Sequence, residues 1–222
     1  MSAALFDYPT KAAYGRPLPK SKIYEHAQIT TRQRQLFISQ VEQIVWHYKL
    51  APETINLPAT DTVPEIQIFT LALKTPELSQ DVLRIIDQAV QFPILYELTH
   101  AGRIQTIAAY KRPSAADSGK WEVSGYFASP WLPATAPRQT LPLVLNMASL
   151  YDHLLTPLIP LGPRTGESLA QRVARAEQVQ AKQREVDKTA ASLARESVYK
   201  QRVEINGQLR QIKAELERLK GD

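Results

Sequence analysis

The sequence predicts an α/β (α+β) protein in which a mixed sheet with packed helices is followed by a C-terminal helical, coiled-coil extension. In the first 163 residues, β-branched segments alternate with segments of helical periodicity, as in helices packed on a sheet. All 16 prolines and all three tryptophans lie at or before Pro163. The 59 residues after it are rich in Ala, Gln, Glu, Lys and Arg, which favour helices. We therefore expect an α/β globular domain over 1–163 and a helical extension over 164–222.

The first predicted element is a helix over about residues 30–45. Thr30 and Gln33 have the spacing of a capping box, in which each side chain bonds the backbone of the other residue. Apolar residues then recur at helical spacing, at Phe37, Val41 and Ile44.

The stretch IVWHYKLAPETINLP (44–58) predicts a short strand over 46–50 and then a turn. Alternation places His47 and Lys49 on one side of the strand. Its other side holds Trp46, Tyr48 and Leu50. The turn contains two residues whose side chains can satisfy free backbone groups, Thr54 and Asn56. We interpret this corner as structural; the alternative is that His47 and Lys49 belong to a surface site for phosphate or a base.

Four more strands and two more helices complete the predicted domain. EIQIFTLAL (65–73) has apolar residues on both faces, as in a buried strand, and Ser79 caps a helix that runs to about Val90. PILYELT and RIQTIAAYK form a hairpin around a turn at 100–102. WEVSGYF follows the polar loop RPSAADSG, and a last helix covers about 142–155.

The extension carries an apolar stripe in its last third. Its members follow one another at spacings of 4, 3, 4 and 3 residues and comprise Ile205, Leu209, Ile212, Leu216 and Leu219. Gly207 lies inside this stripe and costs about 1 kcal/mol relative to alanine, so we expect a bend or break near 206–207. The extension is then one long helix or two antiparallel helices. The stripe predicts binding of a partner or self-association, the alternative being a helix folded back on its own domain.

The sequence also excludes several kinds of chemistry. It has no cysteine, which rules out disulfides, a thiol nucleophile and thiolate zinc sites, and fits a cytoplasmic location. The four histidines lie far apart and lack a second ligand at metal-site spacing, so we expect no metal. No glycine-rich phosphate loop and no GxSxG elbow is present, so we expect neither a nucleotide cofactor nor serine hydrolysis.

No secretion signal and no membrane span is predicted. The N-terminal MSAALFDYPTKAAYG lacks a basic region followed by an apolar run. The most apolar segment, LPLVLNMASLYDHLLTPLIPLG, is interrupted by polar residues and three prolines, whereas a span needs about 20 apolar residues. We expect a soluble protein without membrane contact.

A degenerate nuclease of the PD-(D/E)xK type is one alternative for function. Such an enzyme needs two carboxylates for magnesium and a lysine beside them. One candidate set is Asp61 with Glu65, where Gln67 stands in the lysine position. The other is Glu97 with Lys111 on the neighbouring hairpin strand. Neither set is complete, so the sequence gives no catalytic residue.

A nucleic-acid-binding module is a second alternative. The formal net charge is +5, and the first 34 residues carry six basic and two acidic side chains. The candidate phosphate-binding residues are Lys20, Lys22, Arg32, Arg34 and Lys49. An ordinary solvated edge is the competing interpretation of this region.

Several stretches together resemble a known family: LPKSKIYEH, VEQIVWHYKLAPETINL, PEIQIFTLAL, PILYEL, IAAYK and SPW. The sequence is similar over about residues 5–160 to a bacterial domain of unknown function, DUF4391. The resemblance implies an association with helicases and DNA methyltransferases in antiphage defence clusters, but it supplies no active residue. We therefore expect a non-enzymatic accessory subunit that docks on a larger helicase, ATPase or methyltransferase, with possible DNA contact.

Overall fold

The computed structural model describes residues 4–114, 116–117 and 120–221. The chain divides into two units between Leu158 and Ile159. The first unit contains a mixed sheet with helices and the second is helical, which confirms the predicted fold class.

The strands of the first unit form a seven-stranded mixed sheet and a separate parallel pair. They are β1 (Phe6–Asp7), β2 (Ala13–Pro17), β3 (Val41–Leu50), β4 (Ile66–Leu73), β5 (Ile94–His100), β6 (Arg103–Pro113), β7 (Trp121–Ala128), β8 (Leu132–Pro133) and β9 (Gln139–Thr140). The large sheet has the order β2-β3-β4-β5-β6-β7, with β8 paired to β6, and the small pair joins β1 to β9. All neighbours in the large sheet are antiparallel except β4 and β5.

The helices alternate with these strands in the first unit, and the last two helices form the second unit. They are α1 (Lys20–His26), α2 (Thr31–Gln40), α3 (Pro52–Ile55), α4 (Gln80–Ala89), α5 (Met147–Leu155), α6 (Leu169–Arg195) and α7 (Tyr199–Lys220), with a 3-10 turn at Thr10–Ala12. Because β4 and β5 are parallel, the chain crosses between them through α4.

One face of the sheet packs against α1, α2 and α4. Ile23, Phe37 and Ile86 come from these three helices and lie in one buried apolar cluster with Phe69 of β4 and Tyr96 of β5. Burial of such a side chain contributes about 1.5–3 kcal/mol, so this cluster stabilises the packing of the three helices on the sheet.

The N-terminal segment lies over the opposite face. The Thr106 hydroxyl donates to the Ala4 carbonyl at 2.8 Å, and the rings of Tyr8 and Tyr48 pack with centroids 4.9 Å apart. The segment thus contacts residues of both β3 and β6 on this side of the sheet.

The predicted helix 30–45 is correct at its start and wrong at its end. Thr30 and Gln33 form the capping box, with Thr30 Oγ1 accepting from the Gln33 amide at 3.2 Å. The helix ends at Gln40, and Val41 and Ile44 belong to β3 instead. Both residues are β-branched and buried, so the strand satisfies them as well as the helix would.

The predicted alternation along WHYKL is also wrong at one step. The pairing of β3 with β4 shifts register between Trp46 and Tyr48. Trp46 therefore packs on the helical face, 6.0 Å from Phe69 between ring centroids, while Tyr48 meets Tyr8 on the second face.

Most other predicted elements of the first unit are confirmed. The Ser79 hydroxyl accepts from the Asp81 amide at 3.3 Å at the start of α4, and the turn of the β5–β6 hairpin has positive φ at Ala101 and Gly102. The last helix starts at Met147 rather than 142, because Asn146 caps it through the Ser149 amide at 2.9 Å. The predicted loop 112–119 lies partly outside the described residues.

The second unit is a hairpin of two antiparallel helices, α6 and α7. The break between them lies at 196–198, and Gly207 stands inside α7, so the break predicted near 206–207 is wrong. The seam is built by Val179 and Val186 of α6 against Leu209 and Leu216 of α7. In the part of the chain that the structure describes, no helix is long and apolar enough to cross a membrane.

Candidate functional site

A fully buried ion pair lies on the helical face of the first unit. Lys111 of β6 and Asp87 of α4 are 1% and 3% exposed in their side chains, with Nζ 3.3 Å from Oδ1. Lys111 Nζ also donates to the carbonyl of Asp87 at 2.6 Å and to that of Val90. The Tyr126 hydroxyl donates to Asp87 Oδ2 at 2.6 Å. The lysine thus closes the C-terminal end of α4, whose last carbonyls have no partner within the helix.

The electrostatics of this pair are those of a closed structural element. Burial raises the pKa of Asp87 and lowers that of Lys111, and each charge opposes the shift of the other. Burial, together with the charge of Asp87, also raises the pKa of Tyr126 well above its ordinary value. All three Nζ hydrogens of Lys111 have acceptors, so the lysine has no donor left for a substrate.

A second ion pair, whose carboxylate is buried and whose arginine is partly exposed, lies on the opposite face. Arg138 donates to both carboxylate oxygens of Glu97, at 2.7 and 2.8 Å, and to the Phe6 carbonyl at 2.8 Å. Glu97 is 2% exposed. Burial, followed by the charge of Glu97, raises the pKa of the adjacent Tyr8 well above its ordinary value. The pair fastens the segment before β9 and the N-terminal segment to the sheet.

The nuclease candidates Glu97 and Lys111 therefore do not form one site. Glu97 alternates with Tyr96, whose ring lies in the core against α4, so Glu97 points to the other face of the sheet. Lys111 reaches Asp87 on α4 itself.

The other nuclease candidates are brought together only in part. Gln67 Nε2 donates to Glu65 Oε1 at 2.5 Å, and Lys49 on the neighbouring strand lies 3.4 Å from Glu65 Oε2 and 2.8 Å from Glu53 Oε1. Asp61 is exposed on the loop before β4. Across residues 4–114, 116–117 and 120–221, no three acidic, histidine or cysteine side chains are grouped as metal ligands.

The corner at 46–58 has the geometry of a structural turn. The Thr54 hydroxyl accepts from the Ala51 amide at 2.9 Å and donates to the Lys49 carbonyl at 2.7 Å. Asn56 takes a left-handed backbone conformation, with φ of 52°, at the end of α3. His47 Nδ1 lies 3.0 Å from Thr70 Oγ1 on the second face.

The five basic candidates for nucleic-acid binding fall into different environments. Lys20 donates to the carbonyls of Phe37 and Val41, at 3.1 and 2.5 Å, and so closes the end of α2. Lys22 pairs with Glu25 at 2.9 Å on the surface. Lys49 is at the far end of β3 from Val41, about 26 Å away along the strand, and is held by its carboxylates.

Arg32 and Arg34 remain on the surface without an ion pair to any described residue. Arg34 lies over the Tyr24 ring, 5.1 Å from its centroid. Beside this pair is a groove of about 490 Å³, which His26 and Thr30 also line at the start of α2. The groove brings one basic candidate, Arg34, together with an aromatic ring and the N-terminus of α2, and the acidic Glu25 lines it as well.

Two leucines with almost fully exposed side chains were not among the candidate functional residues predicted from the sequence. Leu143 and Leu145 are 104% and 87% exposed in the segment between β9 and α5. The two leucines are separated by one residue, Val144, which is half-buried. The apolar run LPLVL could have indicated an exposed apolar segment, but the sequence analysis predicts the start of a helix there.

The predicted interaction stripe of the extension lies mostly inside the hairpin. Leu209 and Leu216 are buried against α6, and Ile212 and Leu219 pack beside them, whereas Ile205 is half-buried outside this cluster. The stripe thus has a partner within the chain, and its binding to a second protein stays a prediction.

These features define a mixed α+β protein with a helical hairpin, whose buried charges are paired and whose apolar side chains are exposed at a few surface positions. The family model described as "Domain of unknown function (DUF4391)" matches residues 6–216, and the chain belongs to this family. The match includes the hairpin, beyond the expected 5–160. Comparison with curated proteins and with solved structures gave no match.

Proposed function

We propose that this protein is a non-enzymatic accessory subunit of a bacterial antiphage defence complex in the cytoplasm. It docks on a larger helicase, ATPase or methyltransferase subunit through the α/β unit and the C-terminal helices. The resemblance of the sequence to this family supports the defence setting.

The observation that carries the docking role is the exposure of Leu143 and Leu145. An isolated exposed leucine needs no explanation, but two almost fully exposed leucines separated by a single residue provide apolar area that a partner can cover. Burying them against a partner contributes about 1.5–3 kcal/mol each. By contrast, the charged groups inside the same unit are engaged with one another, as in Lys111 with Asp87.

Co-expression of the tagged full chain with its neighbouring genes tests this role. We expect a stoichiometric complex with a large subunit, and we expect the double variant Leu143→Ser/Leu145→Ser to weaken it. Ile38→Ser is the matched control, because Ile38 is 47% exposed on α2. A protein that purifies alone, or a double variant that binds as well as wild type, would refute docking through this segment.

A nucleic-acid-binding module is the second candidate, favoured by the groove beside Tyr24 and Arg34. An aromatic ring and guanidinium groups can contact a base and a phosphate together. Binding of a labelled oligonucleotide should then weaken steeply with salt and should be lost in Arg32→Ala/Arg34→Ala. Salt-independent binding, or none, would remove this candidate.

A further inference from the structure

The hairpin end, residues 195–210, exposes three large apolar side chains around the turn between α6 and α7. Tyr199 is 81% exposed, Val203 55% and Val198 51%. They lie on a hairpin whose own seam is already filled by Leu209 and its neighbours. These three side chains therefore contribute little to the folding of the hairpin.

The exposed residues of α7 lie on one stripe. Tyr199 and Val203 are four residues apart, and Arg210 follows seven residues after Val203, so the three share a helix face. Leu209 and Leu216 face α6, which leaves this stripe on the solvent side.

The charges of the hairpin end are mostly positive and unpaired. Residues 195–210 contain two acidic side chains, of which Glu196 accepts from the Val198 amide at 2.8 Å at the start of α7. The four basic side chains are exposed and comprise Arg195, Lys200, Arg202 and Arg210. None of the four makes an ion pair with a described residue, whereas Lys182, closer to the other end, lies 2.7 Å from Glu215.

We propose that the hairpin end docks into an apolar pocket with an acidic rim on the protein partner. Tyr and Arg are enriched among the residues that dominate binding energies, and unpaired cations around an apolar centre favour opposite charge on the partner. A nucleic acid would satisfy the cations and could stack on Tyr199, but it offers no pocket for Val198 and Val203. The inference rests on the proposed function and names the surface and the chemistry of the partner.

The test uses the full chain and the large subunit that copurifies with it, each purified separately. We expect Tyr199→Ser/Val203→Ser to weaken the complex at least about 30-fold and Lys200→Glu/Arg202→Glu to weaken it at least about tenfold. Binding of the wild type should weaken as the NaCl concentration rises. Arg184→Glu, at an exposed cation of α6 outside the hairpin end, is the control and should stay within about twofold of wild type.

The outcomes separate this inference from the proposed function. Hairpin-end variants that bind the partner as tightly as wild type would overturn the inference and leave the accessory role standing. If the wild type forms no complex, both fail. If the same variants instead lose affinity for a short labelled oligonucleotide and not for the protein, the hairpin end is a nucleic-acid surface and the inference is overturned. Far-UV circular dichroism of each variant should match wild type, since the changed residues are exposed.

Discussion

Replacing the buried lysine of the first unit tests whether its ion pair is structural. In Lys111→Met the side chain keeps nearly the same length but loses its charge and its three donated hydrogen bonds. Asp87 then keeps the hydroxyl of Tyr126 as its partner in a site that is 3% exposed. The α4 carbonyls of Asp87 and Val90 lose their donor.

The size of the effect follows from the geometry. At 3.3 Å and an effective dielectric constant of about 20, the attraction between the two charges is about 5 kcal/mol. Removing one member of a buried pair typically costs about 3–5 kcal/mol, because the remaining charge is left uncompensated. We expect Lys111→Met to lower the free energy of unfolding by that amount at neutral pH.

Urea unfolding followed by tryptophan fluorescence measures this loss. All three tryptophans belong to the first unit, so the signal reports on that unit alone. Lys49→Met is the control, because its ion pairs are partly exposed and should contribute less than about 1 kcal/mol. In an Asp87→Asn background the effect of Lys111→Met should shrink by at least about 2 kcal/mol, since no buried charge remains.

The pH dependence gives a second check with a defined sign. Burial raises the pKa of Asp87 in the folded protein above its ordinary value of 3.8. The charge of Lys111 opposes this rise, so in Lys111→Met the folded state takes up the Asp87 proton at a higher pH than in wild type, and the deficit of the variant should shrink as pH falls from neutral. A loss below about 1 kcal/mol, or an equal loss in the Asp87→Asn background, would refute the structural role.

Three further changes test the second face and the hairpin. Arg138→Ala leaves Glu97 buried without its cation and should cost about 3–5 kcal/mol in the same fluorescence assay; a loss under 1 kcal/mol would contradict this. Hydrogen bonds from Arg175 lower the pKa of Glu167 to about 2 from its ordinary 4.5, so Glu167→Gln should lower the stability of the second unit at neutral pH. That stability is lost as pH falls from 4.5 towards 2, where variant and wild type should converge in thermal melts of the hairpin. Leu209→Ala should lower hairpin stability by about 2–3 kcal/mol in thermal melts followed by circular dichroism, and an unchanged melt would show that the seam is not formed.

The sequence predicts the strands and turns well where a single local pattern decides the structure. The segment 65–73 has apolar residues on both faces and forms the buried β4, and Ala101–Gly102 forms the tight turn it indicated. The pattern fails at Val41 and Ile44, whose spacing fits a helix and whose branching fits a strand. Tertiary pairing with β4 decides in favour of the strand.

The charged partners could not be predicted, because they are distant along the chain. Lys111 and Asp87 are 24 residues apart, and Glu97 and Arg138 are 41 apart. No local periodicity links such positions. Each lysine or carboxylate, taken alone, predicts a solvated surface residue. The same limit applies to Lys20, which the sequence predicts to be a phosphate-binding residue but which donates to the Phe37 carbonyl at the end of α2.

For the apolar side of α7 as well, the sequence could not identify the partner. Spacing identified the buried side of α7 correctly, including Leu209 and Leu216, but it could not say which surface would cover that side. The seven-residue step through Val179 and Val186 was the available signal for α6 as the partner. Gly207 is exposed inside α7, where its cost of about 1 kcal/mol is offset by the seam on either side of it.

The proposed docking requires more than one surface on energetic grounds. Full burial of Leu143 and Leu145 contributes about 3–6 kcal/mol, whereas a micromolar complex needs about 8 kcal/mol after the cost of association is met. The leucine segment alone therefore falls short of a stable subunit contact. The hairpin end adds Tyr199 and its unpaired cations, which provide the kind of contact that supplies the difference. If one partner holds both surfaces, the contacts reinforce each other, and removing either one should weaken the complex without abolishing it.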